Sequence, residues 1–186
     1  MKSPLYWSPF IYKSALKLAH GKHFSERYEL IAGFVPDSES VLDIGCGIGL
    51  LAENVKGRYL GLELNDTFVN HARKKGLEVL KQNVFEFDRF GEFDNCVIMD
   101  FLHHVCPKHK QVMERVINSG TKRVIVCEPY SPEHGIVDRL SSVLDNDGFN
   151  VPQDWLKKQE LLDFFNSFDP KELKEFGDDF IAVYEP

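Results

Sequence analysis

The stretch Val41–Gly49 reads VLDIGCGIG. Its first four residues, VLDI, form a short apolar run with Asp43 as the one charged member. The rest sets Gly45, Gly47 and Gly49 at alternate positions. Glycine takes positive φ without a steric penalty, and its missing Cβ lets a ligand approach the backbone. An apolar strand running straight into such a turn, with a helical run at Leu50–Lys56 behind it, predicts one strand–turn–helix unit of an α/β domain. On this reading the helix start behind the glycines presents free N–H groups and partial positive charge, suited to a carboxylate or phosphate.

Working outward, Arg58–Glu63 reads as a second strand. Asp66 reads as the cap of a helix reaching Lys75, closed by Gly76. Leu77–Lys81 is a third strand, and Phe93–Met99 a fourth, apolar on both faces as a buried parallel strand should be. Pro107 is placed to start a helix that reaches Asn118 and ends at Gly120, before a fifth strand at Arg123–Cys127. Near the end, Lys171–Phe176 and Phe180–Tyr184 flank Gly177-Asp178-Asp179, a hairpin pattern. The expected fold is therefore α/β: a doubly wound, mostly parallel, Rossmann-like sheet with a terminal antiparallel hairpin.

The flanks read differently. Ile11, Ala15, Leu18 and Ala19 recur at helical spacing, and Ser25 is placed to cap a second helix carrying Phe24, Tyr28, Ile31, Ala32 and Val35. Pro36 ends that helix. After Pro129 the pattern predicts a helix at His134–Leu144, a turn-rich loop at 145–154 and a helix at Trp155–Phe165 with Leu156, Leu161, Leu162 and Phe165 inward. The chain thus divides into an N-terminal helical cap at 1–24 and a main domain at 25–186, with 131–168 as a lid or substrate insertion.

Two ligand classes compete for the glycine turn. The dinucleotide fingerprint is G-x-G-x-x-G. Here the spacing is G-x-G-x-G, and Leu50 stands at the dinucleotide's third glycine position. The pattern D-x-G-x-G-x-G at 43–49 instead resembles the first motif of class I S-adenosylmethionine-dependent methyltransferases, of the small-molecule type. Later residues agree in order. Glu63, in YLGLELN, matches the acid that binds the ribose hydroxyls in that family, and an ionised carboxylate can accept two O–H bonds from a diol. Asn83, in KQNVFEF, stands where the family often has an Asp contacting the adenine amino group, and an amide oxygen can still accept that N–H. FDNCVIMDFLHHV (93–105) resembles the fourth strand, whose end lies beside the methionyl group and the substrate. The resemblance implies cofactor contacts from Asp43, Gly45, Cys46, Gly47, Gly49, Glu63, Leu64, Asn83, Val84, Asp100 and Phe101. It implies S-adenosylmethionine as methyl donor and S-adenosylhomocysteine as product. Two other readings stay open: a cofactor-binding protein of this fold without catalysis, and a nucleotide-dependent oxidoreductase.

His103 and His104 follow Asp100 at the strand's carboxyl end, where open α/β sheets bind ligands. His104 matches a histidine frequent in small-molecule methyltransferases and is the candidate catalytic residue. Tyr6, Tyr12, Tyr130 and His134 are weaker candidates for the substrate pocket. The run H-H-x-C-x-x-H at 103–109 fits no standard zinc spacing, so no metal is expected.

Charge narrows the partners. The formal net charge is −7, yet residues 1–35 carry five Lys/Arg against two Asp/Glu, and residues 128–186 carry five against fourteen. A chain without a strong basic run lacks the usual footprint of a nucleic-acid enzyme, so the expected substrate is a small or lipid-like molecule. The aromatic N-terminus, with Lys13, Lys17 and Lys22 among its apolar residues, suggests weak contact with a membrane surface. The four cysteines form no C-x-x-C pair, and no uninterrupted apolar leader opens the chain, so a cytoplasmic setting is expected.

Overall fold

The computed structural model describes residues 3–131 and 155–186. The expected helix at 134–144, the loop at 145–154 and His134 lie outside the described residues. Seven strands form one sheet: β1 (Val41–Ile44), β2 (Tyr59–Glu63), β3 (Val79–Lys81), β4 (Asn95–Met99), β5 (Arg123–Pro129), β6 (Glu172–Phe176) and β7 (Asp179–Tyr184). Their order is β3-β2-β1-β4-β5-β7-β6, with every pair parallel except those made by β7. This is the doubly wound sheet with a terminal antiparallel hairpin, and it is the class I methyltransferase fold.

Side chains on a strand alternate between faces, and both faces are covered. Leu42, Ile44, Leu60, Leu62, Ile98, Val124 and Val126 share one apolar cluster with α4 (His109–Ile117) and α5 (Lys158–Asn166). Val41, Val97, Ile125, Ile181 and Val183 face the other way, against Phe24, Tyr28 and Ile31 of α2 (His23–Ala32) and Phe68 of α3 (Asp66–Lys74). The outermost helix is α1 (Pro9–His20), which buries none of its residues. A single 3-10 turn, Pro4–Trp7, precedes it.

Several local expectations need correction. The run Leu50–Lys56 is not an α-helix but one 3-10 turn, Leu51–Glu53. The chain must return within a few residues to begin β2, and Gly57 lies so close to the Glu39 carbonyl that any Cβ there would collide with it. The cap of α3 is Asn65, whose side chain accepts from the Thr67 amide at 3.0 Å, rather than Asp66. Ser25 caps nothing, because α2 already starts at His23. Pro107 does not begin α4, which starts at His109; Cys106 is extended, as a residue before proline prefers to be. The helix expected at Trp155–Phe165 starts later, at Lys158, as α5; its Leu161 and Phe165 are fully buried against the sheet, as their inward placement in the sequence reading requires.

Candidate active site

The site forms at the carboxyl ends of the parallel strands, where strand order reverses between β1 and β4. The amides of Gly45 and Cys46 both donate to the Leu62 carbonyl at 2.9 Å, which ties the glycine turn to the end of β2. Gly45 has φ 74°, and a Cβ on it would strike the Phe101 ring. Gly47 has φ 55° and opens toward the ring of Tyr12, which stands 3.4 Å from where its Cβ would be. Because no α-helix follows the turn, positive charge here comes from individual amides and not from a helix end.

Glu63 organises those amides. Its carboxylate accepts from Gly47 N–H at 2.9 Å, Leu64 N–H at 2.8 Å and Asn65 N–H at 2.7 Å. Asn83 uses its side-chain oxygen to accept from the Phe85 amide at 3.0 Å, an Asx turn that holds the loop after β3. That oxygen keeps a second lone pair for a ligand donor. Beyond β4, Asp100 takes positive φ (49°) and accepts two hydrogen bonds from the Arg27 guanidinium, each 2.7 Å long. Burial alone would raise the Asp100 carboxyl, but Arg27 outweighs it and holds the group below the usual carboxylate range.

These residues converge on one cleft. It is lined by Gly45, Gly47, Glu63, Leu64, Asn83, Val84, Asp100 and Phe101 of the expected set, and by His104. The N-terminal segment supplies another wall, Tyr6 and Tyr12, with Phe68 beside them. The cleft encloses about 180 Å³ and opens to solvent. Asp43 and Cys46 line a smaller adjoining cavity that shares Gly45 and Asp100 with the main cleft. There the Asp43 carboxyl is pushed up to about 7 by burial, opposed by the Tyr59 hydroxyl that donates to it at 2.6 Å. Gly49 lines neither space; its Cβ position points into Leu77.

Within the cleft lining, His104 Nε2 lies 3.3 Å from the Tyr6 hydroxyl. His103 is turned away, with its Nδ1 2.9 Å from Glu128. Glu128 is fully buried and also accepts from the amides of Phe101 and Leu102 at 2.6 and 2.7 Å. It thereby fixes the turn that presents His104. Sequence reading missed Glu128, Arg27 and Tyr59. Tyr130 lies elsewhere, bonded to Glu175 at 3.0 Å. Cys106 and His109 form a pair, Sγ to Nδ1 at 3.2 Å, but among the described residues no three His, Cys, Asp or Glu gather as a metal site.

The lining fits S-adenosylmethionine. A glycine without Cβ faces the cleft, the Glu63 carboxylate keeps about one acceptor position beside the three amides it holds, and the Asn83 amide oxygen keeps one lone pair after β3. Replacing Glu63 with Gln is expected to weaken cofactor binding by about 1–3 kcal/mol, since charge-assisted bonds become neutral ones. Glutamine is the milder probe, because its oxygen can keep the Leu64 and Asn65 amides and only the Gly47 amide loses its acceptor, whereas alanine would release all three. Unchanged affinity in calorimetric titration would remove Glu63 from the binding set.

Comparison with known proteins agrees. Residues 42–122 match the family described as a methyltransferase domain. Among solved structures, the complex of the Haloferax volcanii Trm112 methyltransferase activator with a candidate methyltransferase contains a chain 13% identical to this one. The match covers 98% of this chain and 97% of that one, with a TM-score of 0.72. The N-terminal domain of EvdMO1, solved with S-adenosylhomocysteine bound, is 14% identical over 89% of this chain and 84% of its own, at 0.61. A candidate O-methyltransferase of Nostoc punctiforme is 18% identical over 100% and 64%, at 0.64. No curated protein matches the sequence. Residues 42–122 thus match a methyltransferase domain, and the solved neighbours share the fold, one of them with S-adenosylhomocysteine bound.

Proposed function

We propose that this protein transfers a methyl group from S-adenosylmethionine to a small or lipid-like acceptor, leaving S-adenosylhomocysteine. The observation that carries the proposal is that one cleft is lined both by the glycine turn, Glu63 and Asn83 and by the aromatic rings of Tyr6, Tyr12, Phe68 and Phe101 with His104. Bound there, the sulfonium supplies an electrophilic methyl group. The protein's part is to hold an acceptor in line with it and to keep water out, and orientation of this kind is worth as much as about 7–11 kcal/mol.

The aromatic part of the lining suits an apolar acceptor, and the acidic total charge supports a substrate other than nucleic acid. The Tyr6–His104 pair is positioned to orient a polar atom of the acceptor, and His104 is the group that would take its proton where the acceptor carries one. The site residues assigned from the sequence take these roles as part of the same proposal. Among the described residues no helix is long and apolar enough to cross a membrane.

Calorimetric titration is expected to show S-adenosylhomocysteine binding in the micromolar range and little binding of nicotinamide dinucleotides. Binding of NAD without S-adenosylhomocysteine would replace this reading with an oxidoreductase. Incubation with labelled methyl donor and a panel of apolar hydroxyl, amine and carboxylate compounds then tests turnover. Cofactor binding without labelling of any acceptor would support the non-catalytic reading.

A further inference from the structure

Among the described residues, the outer face of α1 is left exposed. Phe10 is 80% exposed, Ile11 44% and Leu18 86%, and Trp7 just ahead of the helix is 59% exposed. At 3.6 residues per turn Phe10, Ile11, Ser14 and Leu18 fall within an arc of about 100°. The opposite face carries Tyr12 and Leu16, which pack toward the domain core. This is an amphipathic helix turned with a second apolar stripe outward, which soluble surfaces rarely tolerate without use.

Its surroundings are basic. Lys17 and Lys22 are exposed on the same segment. Lys13 lies with Lys74 and Lys75, from the end of α3, in the electrostatic neighbourhood of His71; Glu53 pairs with Lys75 there at 2.6 Å, so the excess positive charge rests on the other lysines. The first 35 residues hold five basic against two acidic side chains in a chain of net charge −7. A bare apolar stripe rimmed by lysines is complementary to a surface that is apolar inside and anionic at its edge. A second copy of the chain fits less well, because a twofold pairing of this stripe would bring one lysine rim against the other.

We infer that the outer face of Trp7 and α1 docks on an anionic lipid surface. The helix would lie in the interface plane, with Trp7, Phe10, Ile11 and Leu18 inserted and the lysine stems reaching back to the headgroups. Docking has a consequence for the cleft. Tyr12, on the inner face of the same helix, and Tyr6, just before it, both wall the cleft. The helix that touches lipid then also supplies a wall of the cleft. This inference concerns α1 alone and stands whether or not methyl transfer is the activity.

The test uses the full chain and two vesicle types, phosphatidylcholine alone and phosphatidylcholine with about one third phosphatidylserine. The protein is expected to sediment with the anionic vesicles, to be released by raised salt, and to bind the neutral vesicles at least tenfold less. Tryptophan emission should shift to the blue on binding, and the shift should vanish in Trp7→Phe. The double variant Phe10→Glu/Leu18→Glu, both at exposed sites, should fold normally and bind at least tenfold more weakly. Lys13→Gln/Lys17→Gln should lower anionic binding about fivefold or more and flatten its salt dependence. Three results overturn the inference: wild-type protein that ignores anionic vesicles, binding that is equal in all variants, or a wild-type dimer that the Phe10→Glu/Leu18→Glu change splits without any lipid binding.

Discussion

Replacing Arg27 with methionine is expected to destabilise the protein by about 3–5 kcal/mol, the cost of breaking a buried ion pair by removing one partner. Arg27 is fully buried on α2. Its guanidinium donates to both oxygens of Asp100 at 2.7 Å, lies 2.5 Å from His20 and reaches Cys127 at 3.3 Å. Its Nε is 3.2 Å from Asp179, an ion-pair distance without hydrogen-bond alignment. One cation thus serves two carboxylates, at the end of β4 and the start of β7. Methionine keeps apolar volume but leaves both acids uncompensated.

The two acids respond to pH in opposite senses. Asp100 is held below its ordinary range, so its contribution is present above the carboxylate pKa and is lost on acidification. Asp179 is pushed up to about 7, by burial first, against the pull of Arg27. A raised pKa contributes stability that is complete below about pH 4. That stability is lost as pH rises through about 7. Asp179→Asn should therefore flatten the decline of stability across that window, and in the Arg27→Met background it should restore part of the loss. Urea denaturation at several pH values measures both effects. A loss below about 1 kcal/mol in Arg27→Met would mean that the network is relieved by water and does not hold α2 to the sheet.

The frame of the fold was legible because it rests on strong local patterns. β1, β2, β4 and β5 announce themselves as apolar runs, and Gly177 marks the terminal hairpin through the positive φ it takes (62°). The eight cleft residues expected from motif spacing stand on strand ends, where the fold itself sets direction. What stayed hidden depends on contacts remote in sequence. Arg27 reads as one more charged residue on a helix until Asp100 and Asp179, 73 and 152 positions away, are brought to it. Glu128 sits in VCEP at the end of an apolar strand, and nothing local says that it will hold the turn after the neighbouring strand. The missing helix after Gly49 is a further case. Leu50–Lys56 has adequate helical composition, but the short return to β2 and the tight passage of Gly57 leave no room for more than one turn. Tertiary constraint overrode a weak local preference.

Replacing Gly47 with valine is expected to reduce S-adenosylhomocysteine affinity by at least about 100-fold, or roughly 2.7 kcal/mol. Two effects combine. The backbone there has φ 55°, where a β-branched residue is a genuine outlier. The valine side chain would also project from the glycine turn toward Tyr12, across the cleft that Gly47 and Tyr12 jointly line. Strain alone could shift the Gly47 amide away from Glu63, which now accepts from it at 2.9 Å, so occlusion and strain must be separated. Gly76 supplies the control: its φ is 84°, yet a Cβ on it meets nothing within 4 Å. Gly76→Ala should lower thermal stability by a few degrees, through about 1–2 kcal/mol of backbone strain, and leave cofactor affinity unchanged. Gly47→Ala, which adds one methyl, should fall between wild type and valine in affinity. If Gly47→Val is folded and binds S-adenosylhomocysteine like the wild type, the glycine turn is not the cofactor site and the cleft must take its ligand in another orientation.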